Sequence, residues 1–174
     1  MASIGHVAIG MAAARVFAGR RAPRASLAAS MVLWSLLSMA PDADVIGFSF
    51  GVRYGDAWGH RGATHSIAVA VLCGAALGAV ARTRGKAAWR TALLATAVVA
   101  SHGLLDTLTD GGRGIALLWP FDDTRYFAPW NPIPVSPIGL GFLSARGLKV
   151  ASTELVLFAP VFAFALWPRR REGE

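Results

Sequence analysis

Residues 91–106 read TALLATAVVASHGLLD, an apolar run that ends on a histidine and an aspartate. Thr91 to Ala100 carries no charge and has the character of a buried or membrane helix. Continued as helix, the run places His102 and Asp106 four positions apart, on one face. An imidazole and a carboxylate one turn apart can ligate the same ion without bending the backbone. The end of this helix is therefore half of a metal site.

Outward from this run the chain repeats its pattern. A first helix is expected over residues 2–18, with His6 near its start. A second covers 25–40 and ends at Pro41-Asp42-Ala43-Asp44. A loop rich in glycine and aromatic residues follows and carries His60, Arg61 and His65. The third helix is expected over 66–81, the fourth over 91–105 and the last over 150–167. Residues 110–148 hold most of the prolines. Within them Ile115 to Phe121 is too short to span a bilayer and is expected to be interfacial or re-entrant. The Trp and Phe residues around 119–130 and 142 are expected to form an interfacial aromatic belt.

Hydrophobic residues make up 55% of the chain and charged residues 16%, which is too apolar for an ordinary soluble domain. A mean hydropathy of +0.50 agrees. The expectation is an all-α, multi-pass membrane bundle of about five helices, forming a single domain over residues 1–174. Runs of about 16 residues extend about 24 Å, short of a bilayer core of about 30 Å, so caps and flanking turns must lengthen them. The lone Cys73, inside an apolar run, excludes a disulfide framework and a cysteine-based zinc site, and reads as a small buried hydrophobe. A cleavable signal peptide is not expected, because no positive segment precedes the first run and Arg15 interrupts it.

The net charge of +7 would suit nucleic acid if the basic residues lined a groove with aromatic platforms. They punctuate the apolar runs instead, so no nucleic-acid partner is expected and the charge reports topology. With alternating helices, one end holds Arg15, Arg20, Arg21, Arg24, Arg82, Arg84, Lys86, Arg90 and Arg169 to Arg171, which is 11 of the 17 Lys and Arg. The positive-inside rule places that end and the C-terminus in the cytoplasm. The opposite, extracytoplasmic rim gathers His6, Asp42, Asp44, His60, His65, His102 and Asp106, and Glu154 lies in the outer part of the last helix.

These residues are the candidate metal ligands. Asp42 and Asp44, two apart, cannot share an α-helical face, but in a turn both can point at one cation. His60 and His65, five apart, would diverge by about 140° on a continuous helix. One is therefore expected on a loop and the other at the start of the third helix, with Thr64 or Ser66 as its cap. Arg61 between them is suited to hold a phosphate or carboxylate.

Together, His6, Pro41-Asp42-Ala43-Asp44, His60-Arg61-Gly62-Ala63-Thr64-His65-Ser66 and Ser101-His102-Gly103-Leu104-Leu105-Asp106 resemble the bacterial membrane-bound metal-dependent hydrolases, a LexA-regulated, YdjM-like family. Trp119-Pro120-Phe121 and the proline-rich segment share the resemblance, which covers essentially the whole chain. That family is distantly similar to zinc-dependent phospholipase C and P1 nuclease, all-helical enzymes whose His and Asp residues bind zinc and activate water on phosphate esters. The resemblance implies a hydrolase with phosphoester chemistry, and a site at the surface of the cytoplasmic membrane suits an amphiphilic, lipid-like substrate. It implies a divalent metal, with Zn²⁺ the expected ion. Having only four histidines, the chain departs from the soluble enzymes, and one or two ions are expected rather than three. In that scheme Asp42 or Asp44 is the general base and Arg61 stabilises developing negative charge. The alternative is a non-catalytic membrane protein with a structural or transport metal site.

Overall fold

The structure, a computed structural model, describes residues 3–18 and 23–168. Its six α-helices are α1 (Ser3–Phe17), α2 (Arg24–Met39), α3 (Ile67–Thr83), α4 (Ala88–Asp106), α5 (Ala145–Leu157) and α6 (Ala159–Leu166). Three 3₁₀ segments, Ala40–Phe50, Ala63–His65 and Gly139–Leu143, join them. Among the described residues there is no strand, only isolated bridges pairing Thr109 with Ile133 and Ile115 with Tyr126. The fold is all-α.

Small residues set the helix pairing. A Cβ on Gly74 of α3 would lie 2.6 Å from the Ala92 carbonyl of α4, and one on Gly10 of α1 would lie 2.3 Å from Ser35 Cα of α2. The α3/α4 and α1/α2 backbones therefore touch, as helices do in lipid, where close van der Waals packing replaces the hydrophobic effect. Large side chains point the other way: Leu33 is 67% exposed and Leu72 68%. A water-soluble monomer rarely shows such surfaces over whole helices. The buried cluster that holds α1, α2 and α4 together is built mainly from small residues, Ala13, Ala14 and Ala95, with Val98 and Trp34. Cys73 is half-buried on α3 rather than enclosed.

Among the described residues one helical stretch, Arg24–Phe50, is long and apolar enough to cross a membrane, and α5 with α6 qualifies if the bent pair is one span. α1 and α3 are shorter apolar helices. The basic residues expected at the far end include Arg20, Arg21 and Arg169 to Arg171, which lie outside the described residues. Arg15 is described: its Nη1 donates to the carbonyls of Ala165 at 3.0 Å and Trp167 at 2.6 Å. A cation at the C-terminal carbonyls of α6 complements the helix dipole there.

The structure departs from the sequence expectation in the last helix. The last helix, expected over 150–167, begins at Ala145 and breaks into two helices bent by 61°. Pro160, in the first turn of α6, has no N–H to continue the α5 ladder and its ring crowds the preceding turn. Ile115 to Phe121, too short to span, forms no helix. Ile115 exchanges both backbone hydrogen bonds with Tyr126, at 3.0 and 2.9 Å, and the Leu117 carbonyl accepts Ile67 N–H at 3.0 Å. The segment is a strap tied to the start of α3.

Candidate metal centre

The helix ends that carry chemistry meet at one place: the start of α1, the segment after α2, the start of α3 and the end of α4. The second of these solves the spacing problem of Asp42 and Asp44. Residues 40–50 wind as a 3₁₀ helix, at three residues per turn. Positions two apart then diverge by about 120°, against about 160° on an α-helix, so both carboxylates can face the rim.

Four side chains converge. His102 Nε2 lies 3.2 Å from Asp42 Oδ1 and 3.2 Å from His65 Nε2. His65 Nε2 lies 3.5 Å from Asp42 Oδ1 and 3.8 Å from Asp106 Oδ2. One ligand atom from each of Asp42, His65, His102 and Asp106 falls within 4.8 Å of all the others. Their hydrogen bonds fix which atoms carry protons. His102 Nδ1 is 2.7 Å from the Ser38 carbonyl, which can only accept, so Nδ1 holds the proton and Nε2 of the neutral ring is a bare lone pair. His65 Nδ1 lies 3.0 Å from Thr64 Oγ1, whose own hydrogen goes to Asp44 Oδ2 at 2.8 Å. Nδ1 of His65 is therefore also the donor, and in the neutral ring its Nε2 carries the lone pair that a cation would take. Two imidazole lone pairs and two carboxylates facing one another call for a positive charge between them.

The spacing suits a cation. Zinc–nitrogen and zinc–oxygen bonds of about 2.0–2.1 Å in a tetrahedron imply ligand–ligand edges of about 3.3–3.4 Å. Four of the six separations, 3.2, 3.2, 3.5 and 3.8 Å, bracket that value, and all six lie within 4.8 Å.

Asp44 has a different position. It accepts from His60 Nδ1 at 2.8 Å, Thr64 Oγ1 at 2.8 Å and the Arg61 backbone N–H at 3.2 Å, and stands 3.3 Å from His65 Nδ1. A carboxylate so engaged orients a ligating histidine from behind. Asp44, His60 and His65 still form a second group compact enough for an ion. Of the remaining candidates, His6 is fully buried, stacks on His102 with centroids 3.7 Å apart and approaches Asp106 Oδ1 at 3.4 Å. Glu154 lies outside the convergent set: its Oε2 accepts Gly5 N–H at 3.0 Å, in the first turn of α1. Arg61 is 2% exposed; its Nε is 3.4 Å from Asp106 Oδ2 and its Nη1 donates to the Gly111 carbonyl at 2.7 Å. Ser66, not Thr64, caps α3, accepting Val69 N–H at 3.2 Å. Contacts that the sequence did not point to include the Ser38 carbonyl, since a backbone acceptor leaves no mark in composition, and the Thr64–Asp44 bond, since the two residues are 20 positions apart.

Burial alone would lower the pKa of His65, but its hydrogen bonds to Asp42 and Asp44, with the charge of Asp106, outweigh burial and raise it. A raised pKa means that protons occupy this imidazole to higher pH than usual, and a cation must displace them. Cation affinity is therefore expected to weaken as pH falls from 8 to 6, by up to about tenfold per pH unit for each proton displaced. Isothermal titration at both pH values checks this; equal affinities would contradict it.

Helices packed through small residues, with apolar side chains outward and a polar His/Asp cluster at one rim, define a membrane-embedded helical protein with a metal-capable centre. The comparisons with known proteins agree on the membrane: residues 1–171 match the family described as YdjM inner membrane protein, and the chain belongs to that family. Inner membrane protein YbcI of Escherichia coli (strain K12) is 41% identical over 141 residues, which covers 78% of this chain and 82% of that protein. No solved structure matches the chain.

Proposed function

We propose that this membrane protein is a metal-dependent hydrolase that cleaves a phosphoester of an amphiphilic, lipid-like substrate. The observation that carries the proposal is the convergence of His65 Nε2, His102 Nε2, Asp42 Oδ1 and Asp106 Oδ2, three of them on buried side chains. Those four would hold one divalent ion, with Zn²⁺ favoured by the nitrogen ligands. Such an ion supplies an acidified water and polarises the scissile phosphoryl group. Asp42, whose side chain is 27% exposed against 0–1% for His65, His102 and Asp106, lies on the side from which substrate and water approach; where water takes its place on the ion, three protein ligands remain and the freed carboxylate is the candidate general base. Asp44 holds His60 and His65 in orientation. Arg61, beside Asp106, adds positive charge where negative charge develops. The proposed topology puts this rim on the extracytoplasmic side and the C-terminus in the cytoplasm, with membrane lipids as the surroundings.

The enclosure of three of the four ligands favours a second reading, a structural or transported cation without catalysis. One experiment separates the two: purified protein loaded with Zn²⁺ is screened against phospholipid and polyprenyl phosphoesters. Metal-dependent release of the head group or phosphate supports the hydrolase. Tight metal binding with no turnover across the screen supports the second reading, and a protein that binds no metal contradicts both.

A further inference from the structure

Arg125, beyond the strap, lies outside every motif named so far. Its Nη1 is 3.3 Å from the carbonyl of His60 and 3.3 Å from that of Arg61, and its Nη2 is 3.2 Å from the carbonyl of Asp56. One guanidinium thus grips three carbonyls of the loop that leads into the site. A rigid planar fork of donors suits that task, whereas an ammonium offers its donors from a single point.

The loop it grips holds an unusual conformation. Arg61 has φ of 66°, and it is the one non-glycine residue with positive φ among those described. An L-residue stays in that region only where its surroundings over-determine it. Here the Arg61 N–H donates to Asp44 Oδ2 at 3.2 Å, and its carbonyl accepts Ala116 N–H at 3.1 Å in addition to Arg125. The left-handed turn aims the two ends of Arg61 at different carboxylates: its backbone N–H at Asp44, and its side-chain Nε at Asp106 Oδ2, 3.4 Å away. Asp44 orients His65, and Asp106 belongs to the convergent set. A slack peptide at 60–61 would disturb both carboxylates together.

We propose that Arg125 is a positioning residue for the cation site, the strut that keeps Arg61 left-handed and so keeps Asp44 and Asp106 aimed at the centre. This rests on the metal reading given above. Three of its five N–H donors are committed to carbonyls of this loop.

The test uses the full chain in detergent with Co²⁺ alone as the probe, comparing wild type, R125A, R125K and the pair R61G and R61G/R125A. Two signals are read: Co²⁺ affinity with its d–d absorption, and amide hydrogen exchange over residues 56–66 without added metal. Outer-shell partners typically contribute 10–100-fold to metal affinity, and R125A is expected to lose roughly that much, with a changed spectrum. Exchange over 56–66 should quicken while protection within α1 to α4 is retained, and R125K should recover part of both. Glycine accepts φ of 66° without strain and has no side chain to aim. In the R61G background, removal of Arg125 should therefore change Co²⁺ affinity far less. Wild-type affinity and spectrum in R125A, or an undiminished Arg125 effect in the R61G background, overturns the strut. Failure of the wild type itself to bind Co²⁺ overturns the metal reading on which it rests.

Discussion

Replacing His102 with alanine is expected to weaken divalent-cation binding by more than about 100-fold, beyond what outer-shell partners contribute. The ring makes two closest approaches in the convergent set, 3.2 Å to Asp42 and 3.2 Å to His65, and its proton is committed to the Ser38 carbonyl. In the neutral ring Nε2 therefore offers its lone pair to the centre. Because the side chain is fully buried and stacked on His6, alanine also leaves a cavity. His102→Asn separates the two effects, since its amide can still donate to Ser38 while the Nε2 lone pair is gone. Both variants should lose Co²⁺ binding in a titration, and the asparagine variant should keep its helicity by circular dichroism. Unchanged affinity in His102→Asn would remove His102 from the site.

The largest effect on stability is expected at Asp106. Its carboxylate faces Arg61 at 3.4 Å, His6 at 3.4 Å and His65 at 3.8 Å, all with side chains at most 2% exposed. Removing one partner of a buried ion pair leaves the other charge uncompensated, at a cost of about 3–5 kcal/mol. Asp106→Ala should show that loss as a lower midpoint of thermal unfolding in detergent. The double variant Asp106→Leu/Arg61→Met should recover most of the midpoint, because an apolar pair of similar volume need not desolvate any charge. It should still fail to bind the cation. A double variant no more stable than Asp106→Ala would mean that the ion pair is not what holds this region.

Much of this was readable in the chain because the relevant signals are periodic. Four-residue spacing places His102 and Asp106 on one face of α4, and counting apolar runs brings His6, Asp42, His65 and Asp106 to one rim. Other features escape periodicity. Pro160 marks the break between α5 and α6, but a proline in an apolar run is also compatible with the first turn of a single helix, and only packing decides. The 3₁₀ winding of residues 40–50 has no compositional signature, so the distinction between Asp42, which faces the centre, and Asp44, which orients His60 and His65, came only with the structure. The left-handed Arg61 is a case of tertiary contacts overriding local preference, and the fork of Arg125 that supports it comes from 64 residues away. No local pattern could have linked the two.

The central claim is that Asp42, His65, His102 and Asp106 hold a divalent cation. Elemental analysis of the purified wild-type chain, loaded with Zn²⁺ and then exhaustively desalted, tests it most directly. The geometry predicts close to one retained ion per chain, with the His102→Asn variant retaining essentially none. A wild-type chain that retains none, or a variant that retains as much as the wild type, would contradict it.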